Sequence, residues 1–146
     1  MESNETGIQK RDDKSALSMS LSNNEKVFTN LNPETKQEKQ QMFNMLSRCD
    51  GRINDIENQI LNVVGYYVQQ IIRKDKETGE PRNGIRTIIV TDEGKSYVTM
   101  SSYFGLQFMR LVKTFGDDIK DGIKIKIIKV SKAGSEGQIL QFEIVD

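Results

Sequence analysis

The segment Gln59–Ile72, QILNVVGYYVQQII, decides the fold of this chain. It is rich in Ile, Val and Tyr, contains no Pro, and has one glycine, Gly65, near its middle. β-Branched and aromatic residues favour a pleated, half-buried strand. Ordinary strands span about five or six residues, so a strand of this length must bend, and Gly65 is where a bulge or sharp coil is expected. We predict a long, bent strand that is shared by two halves of a small barrel.

An amphipathic helix is the alternative for this segment. One helical face would carry the apolar residues Ile60, Val63, Val64, Tyr67, Val68 and Ile71. Gly65 and the β-branched residues lower helix propensity, so the strand is the preferred interpretation.

The composition restricts the class of protein. A chain of 146 residues forms one domain with at most an appendage. Its 21 basic and 21 acidic residues cancel, so no overall field attracts nucleic acid or membrane. No apolar run approaches the roughly 20 residues of a membrane helix, and the N-terminus lacks the apolar core of a secretory signal. The one cysteine, Cys49, fits a reducing cytoplasm and is expected to be a partly buried thiol near a helix end.

The missing residue types weigh against an enzyme. The chain has no His and a single Cys, which excludes His-based acid–base catalysis and Cys/His metal sites. No glycine-rich phosphate-binding motif is present. Carboxylate pairs at Asp12-Asp13 and Asp117-Asp118 can bind Mg²⁺ in principle, but both are expected in turns or solvated tails. We therefore predict a binding protein with no metal and no cofactor, and keep a carboxylate-metal nuclease as a distant alternative.

Residues 1–32 are predicted to form an extended N-terminal arm. Their composition is polar and typical of disorder. Within them Leu17, Met19 and Leu21 alternate with serines, so this strip can add as a strand to the sheet edge of another subunit. Val27 and Phe28 offer a second set of oligomerisation contacts. A plain flexible tail is the alternative.

Residues 33–146 are predicted to form the folded domain. Asn32-Pro33-Glu34 marks a helix start, and this helix is expected over residues 33–48, with Met42, Phe43, Met45 and Leu46 as its docking face. Ile53 and Ile56 are expected to cover one end of the barrel. Residues 73–84 are predicted to form an exposed hairpin loop, followed by strands at Ile85–Thr91 and Ser96–Met100. A helix capped by Ser101 or Ser102 is expected to end at Gly116. Two more strands, at Ile123–Val130 and Ile139–Val145, complete the predicted domain.

The resulting order, β-β-β-α-β-β, is that of the OB-fold, a five-stranded Greek-key barrel with a helix between its third and fourth strands. The predicted fold class is therefore mainly β with helices (α+β), preceded by the arm and a helix.

The chain also resembles the OB-fold single-stranded DNA-binding proteins of Gram-positive conjugative plasmids and phages. The similarity lies in Cys49–Asp55 (CDGRIND), the ETGE loop at Glu77–Glu80, the DEGKSY hairpin at Asp92–Tyr97 and KTFG at Lys113–Gly116. It covers roughly residues 48–145. The resemblance implies binding of single-stranded DNA without sequence specificity and without catalysis, during plasmid or phage DNA processing. The chain departs from a minimal OB domain in its N-terminal arm, and it lacks the acidic C-terminal tail of bacterial housekeeping single-strand binders.

An OB-fold protein binds single-stranded nucleic acid by stacking the bases on aromatic rings and by contacting the phosphates with Lys and Arg side chains. The aromatic candidates are Tyr66, Tyr67 and Tyr97; the first two are neighbours on a strand, so only one of them can face the DNA. The alternation predicts that Ile88, Val90, Val98 and Met100 point inward with Arg86, whereas Tyr97 and Thr99 point outward. The cations expected to contact nucleic acid are Arg73, Lys74, Lys76, Arg82, Arg86, Lys95, Lys124, Lys126 and Lys132.

A neutral monomer is expected to bind DNA weakly. Useful affinity then requires several subunits side by side, chained by the arm into a cooperative homo-oligomer on single-stranded DNA. An RNA-binding OB module and a protein-interaction or adaptor module of a DNA-transfer system remain open alternatives.

Overall fold

The computed structural model describes residues 25–131 and 137–146. Its strands are β1 (Glu25–Thr29), β2 (Gly51–Arg52), β3 (Ile60–Lys74), β4 (Pro81–Thr91), β5 (Ser96–Thr99), β6 (Ile123–Ser131) and β7 (Gln138–Ile144). Its helices are α1 (Lys36–Ser47) and α2 (Ser102–Phe115), and short 3-10 helices span Ile53–Asp55 and Gly116–Asp121.

All seven strands belong to one sheet, which curls strongly into an OB-like half-barrel. The order is β2-β5-β4-β3-β6-β7, and β1 also pairs with β3. The first residues of β3 pair with β6, whereas its later residues lie between β4 and β1. The prediction of a long strand that serves two halves of the fold is therefore confirmed, and the helical alternative is wrong. Two short strands, β1 and β2, add to the five predicted ones.

A β-bulge bends β3 at the predicted position. Val63 pairs with Thr91 and Gly65 with Val90, so Val64 is the extra residue of the bulge. The bulge lets Val63, Tyr66 and Val68 all face the core although their spacing is not uniform. Gly65 also allows a close approach, because a Cβ at this position would lie 3.0 Å from Cδ2 of Leu31.

The core lies between the concave face of the sheet and α2. Phe104 and Phe108 of α2 are fully buried and contact Phe142 of β7, with ring centroids 5.1 and 6.1 Å from it. Ser101 caps α2 by accepting a hydrogen bond from the Phe104 N–H, and Gly116 ends the helix with a positive φ of 52°. The predicted cap and end of this helix are confirmed. Ile53 is buried with Ile56 packed beside it, as expected for residues that close the end of the barrel.

The segment after β1 covers the opposite, convex face of the sheet. Asn30 lies over the bulge: its side-chain oxygen accepts from the Tyr66 N–H (2.9 Å), and its side-chain nitrogen donates to the Val64 carbonyl (3.0 Å). The Thr29 hydroxyl donates to the Tyr66 carbonyl (2.7 Å). These side chains satisfy backbone groups of the kind that a bulge leaves unpaired. Residues 25–31, assigned to the arm from the sequence, are thus part of the sheet structure, because β3 offers β1 a free edge.

Helix α1 begins later than predicted. Its N-cap is Thr35, not Asn32, because Thr35 and Glu38 form a reciprocal capping box that outcompetes the Asn-Pro signal. The helix is held to the sheet through its C-terminal end, where the carbonyl oxygens of Met45 and Leu46 accept from Ser96 Oγ (3.2 Å) and Arg86 Nη2 (3.4 Å). Cys49 lies half-buried just beyond this end, as expected.

The predicted orientation of β4 and β5 is wrong. Ile85 and Ile89 face the core with Tyr97, whereas Ile88, Val90 and Val98 occupy the convex face and Met100 is exposed. Thr99 is buried and donates to Asn54 Oδ1 (2.9 Å), although the alternation predicts it outward. Ile88-Ile89-Val90 is buried throughout, because α2 covers one face and the chain around Leu31 covers the other. A strand buried on both faces shows no usable alternation.

The β3–β4 hairpin is also longer than predicted. The strands continue to Lys74 and resume at Pro81, so that Arg73 pairs with Arg82 and only residues 75–80 form the loop. Pro81 is the first residue of β4, where a missing N–H is tolerated. The side chain of Asp75 orders the loop by accepting from the backbone N–H groups of Glu77 and Thr78.

Candidate nucleic-acid interface

The tip of the β3–β4 hairpin carries exposed cations. Lys74 ends β3, and Lys76 follows it in the loop; both side chains are exposed. The backbones of Arg73 and Arg82 are directly paired across the hairpin, which places these two predicted contacts at the same level of the sheet. Acidic residues share the loop, so the hairpin has mixed charge with a small basic excess.

The tyrosines of β3 do not lie on an open surface. Tyr66 points into the core, where its ring meets Phe108 edge-to-face at a centroid distance of 5.6 Å. Burial, assisted by the charge of Asp117, raises the pKa of Tyr66 above its usual value. Tyr67, on the convex face, is 5% exposed. Both rings are buried, so neither presents a face to a base in this structure.

Tyr97 and Arg86, two further residues predicted to contact nucleic acid, interact with other parts of the protein. Tyr97 is half-buried and packs against the core, with Gly51 so close that a Cβ there would lie 3.2 Å from the ring. Arg86, predicted to point inward, lies on the convex face and donates to the Leu46 carbonyl. The reason is the reversed orientation of β4 and β5, which turns Tyr97 in and Arg86 out.

The remaining predicted cations are spread over the surface. Lys95 is exposed in the β4–β5 turn, and Lys124 is exposed on the convex side of β6 beside the half-buried Lys126. Lys132 lies outside the described residues. The structure thus does not bring the predicted cations together into one patch.

A groove that the sequence did not indicate lies between the hairpin and the start of α2. Its volume is about 570 Å³. Its floor follows from strand register, because Lys26, Gln70 and Ile85 form one row across β1, β3 and β4, and Ile72 and Asn83 form the next. Ser102 and Leu106 of α2 form the facing wall, and Ile71 and Gly84 complete the lining.

The surroundings of this groove are apolar and cationic. Ile72 and Leu106 are 46% and 52% exposed at its margins. Phe28, 37% exposed, lies on the same face of β1 as Lys26 and is paired with Val68 of β3. Along α2, Arg110 and Lys113 follow Leu106 at helical spacing and are exposed. This site could not be predicted from the sequence, because its residues come from three strands and a helix and no local sequence pattern connects them.

The predicted oligomerisation residues divide into two groups. Leu17, Met19 and Leu21 lie outside the described residues. Val27 and Phe28 are in β1, which pairs with β3 of the same chain. Val27 is half-buried on the convex side, and Phe28 lies on the concave side.

Within residues 25–131 and 137–146, no group of three or more His, Cys, Asp or Glu side chains is placed to hold a metal ion. In the same part of the chain, no helix is both long enough and apolar enough to cross a membrane.

A curled OB-like sheet with a helix packed on its concave face defines the class of small OB-fold proteins. The family model described as phage single-stranded DNA-binding protein matches residues 21–144. The chain belongs to this family, which confirms the resemblance drawn from its motifs. No individual curated protein matches the chain, and no solved structure does.

Proposed function

We propose that this protein binds single-stranded DNA without sequence preference and does not act as an enzyme. The observation that carries the proposal is the family match over residues 21–144, together with the OB-like curl of the sheet. A phage or a conjugative plasmid is the proposed genetic context, and the cytoplasm the proposed location.

Electrostatic contacts to the phosphates of the DNA strand are the proposed source of its sequence-independent affinity for the protein. Lys74 and Lys76 at the hairpin tip and Lys95 in the next turn are exposed and free to follow phosphates. Because the whole chain is neutral, one copy supplies little long-range attraction. We therefore propose that several copies coat a strand side by side and bind it cooperatively.

The proposed link between copies is the Leu17/Met19/Leu21 strip, added as a strand to the sheet edge of another subunit. Residues 25–31 must be kept, because β1 pairs with β3 and the side chain of Asn30 hydrogen-bonds to the β3 backbone. A variant that lacks only residues 1–24 should fold normally but lose oligomers and binding cooperativity. Size-exclusion chromatography and titrations on long oligo-dT measure both, and an unchanged oligomer size with unchanged cooperativity would refute the link.

The central experiment is an anisotropy titration with oligo-dT, a duplex and a matching RNA at two salt concentrations. We expect oligo-dT to bind most tightly and the affinity to fall with salt. Lys74→Ala and Lys76→Ala should each reduce the log–log salt slope by about 0.7, the value for one phosphate contact on a single strand. Lys120→Ala, an exposed lysine in the 3-10 helix after α2, is the matched control.

Each alternative has its own signature in this experiment. Preference for RNA over DNA would replace the proposal with an RNA-binding module. No salt-sensitive binding of any nucleic acid, combined with a stable protein complex, would indicate an adaptor. Cleavage of oligo-dT in the presence of Mg²⁺ would contradict the non-enzymatic assignment.

A further inference from the structure

The groove between the β3–β4 hairpin and α2 has the features of a ligand site. Its volume of about 570 Å³ lies within the range of roughly 300–1,000 Å³ typical of small-molecule pockets. Its margins are apolar, and the polar residues that line it come from different elements: Lys26 from β1, Gln70 from β3, Asn83 from β4 and Ser102 from α2.

We propose that this groove binds a single unstacked nucleotide of the DNA strand, an inference that rests on the proposed function. Ile72 and Leu106 contact the faces of the base, since apolar side chains can hold a base between them as aromatic rings do. The amides of Gln70 and Asn83 hydrogen-bond its edge. An amide offers both donors and acceptors, so it serves any of the four bases.

Charge favours a nucleotide as the occupant. Lys26 is the one ionisable side chain among the described residues that line the groove, and it is positive. On one side of the groove, Lys74 ends β3 two residues after Ile72, and Lys76 follows in the loop. On the other side, Arg110 and Lys113 continue along α2 from Leu106. A strand that enters at the hairpin and leaves along α2 therefore meets cations on both sides of the groove.

Geometry disfavours a peptide strand as the occupant. Gln70 in the floor pairs with Lys26 of β1 on one side and with Ile85 of β4 on the other, and Ile72 pairs with Asn83 of β4. A peptide that binds by strand addition needs an unpaired sheet edge, and this floor offers the face of a sheet instead. The base-binding assignment needs no backbone partner.

Leu106→Glu tests the proposal, with Ile144→Glu as the matched control. Both side chains are about half exposed (52% and 51%), so both variants should fold, but Ile144 lies at the far end of the sheet on β7. The carboxylate at residue 106 should weaken oligo-dT binding about tenfold, the equivalent of one stacked base. The control should stay within about twofold of the unsubstituted protein, as expected for an exposed change outside the site. Unchanged binding by Leu106→Glu, or an equal loss in both variants, would overturn the groove assignment.

A fluorescence experiment identifies the occupant. The chain contains no Trp, so Leu106→Trp introduces a unique fluorophore at the groove and Ile144→Trp a matched one elsewhere. Oligo-dT should quench the first and leave the second unchanged. Emission that depends on protein concentration but not on oligo-dT would assign the groove to a second copy and overturn the proposal. If the unsubstituted protein ignores oligo-dT, the proposed function itself fails; if it binds while both groove variants behave like their controls, only the groove assignment fails.

Discussion

The side chain of Asn30 is predicted to stabilise the bulge that bends β3, and Asn30→Ala tests this. The change removes the acceptor for the Tyr66 N–H and the donor to the Val64 carbonyl. Both hydrogen bonds are partly buried, and the bulge offers these backbone groups no ladder partner in exchange. A neutral hydrogen bond contributes about 1 kcal/mol net, and a buried group left unpaired costs about 1–3 kcal/mol.

Since both sites are only partly buried, the lower values apply, and we expect a loss of about 2 kcal/mol in the free energy of unfolding. For a chain of this length, that corresponds to a fall in Tm of roughly 6 °C. Urea denaturation and a thermal melt measure the two quantities. Amide hydrogen exchange provides an independent readout, because the Tyr66 N–H should exchange faster in the variant.

Asn32→Ala is the matched control, since Asn32 is exposed two residues further along the chain. We expect the control to change stability by no more than about 0.5 kcal/mol. Equal stabilities for the two variants, or an unchanged exchange rate at Tyr66, would refute the role assigned to Asn30.

Three further substitutions test other parts of the structure. Gly105→Ala should destabilise the fold by about 1–3 kcal/mol in urea titrations, because the added Cβ would lie 2.5 Å from Cγ2 of Ile85 and push α2 off the sheet. Tyr66→Phe should reduce the fall in the free energy of unfolding that occurs at alkaline pH, measured by urea titrations over a series of pH values. The raised pKa of Tyr66 means that its contribution is complete below about pH 10 and is lost as the pH rises through the folded-state value. Thr35→Ala should cost about 1 kcal/mol of helix stability, seen as faster amide exchange in the first turn of α1.

Each of these has a control or a contrary outcome. Gly84→Ala matches Gly105→Ala, because the nearest atom to its Cβ is the Ile71 carbonyl oxygen at 3.9 Å; equal losses would contradict the close approach of α2. An alkaline profile that is identical in Tyr66→Phe and the unsubstituted protein would exclude Tyr66 as a source of that pH dependence.

The Thr35 capping box also predicts that the start of α1 weakens in acid. Hydrogen bonds from the Thr35 and Glu34 N–H groups lower the pKa of Glu38, so the cap should weaken only as pH falls through that lowered value. Fraying of α1 already near neutral pH would contradict it.

Several features of the fold could be predicted from local sequence. The Ile/Val/Tyr run predicted β3 and its glycine predicted the bulge, because both depend on backbone preferences of consecutive residues. Helix α2 was predicted with its caps, since its apolar residues follow helical spacing and Ser101 and Gly116 act within one turn of its ends. The order of these elements was enough to predict the OB-like class.

The tertiary structure alone decided which face of β4 and β5 points to the core. Their apolar run is buried on both sides, so alternation carried no information about direction. The same applies to Asn30, whose partners Val64 and Tyr66 are 34 and 36 residues away. The groove likewise needs three strands in register and the first turns of α2. Sequence determined β3 and α2 because local preferences act between neighbours, whereas the candidate site arose only where folding brought distant residues into contact.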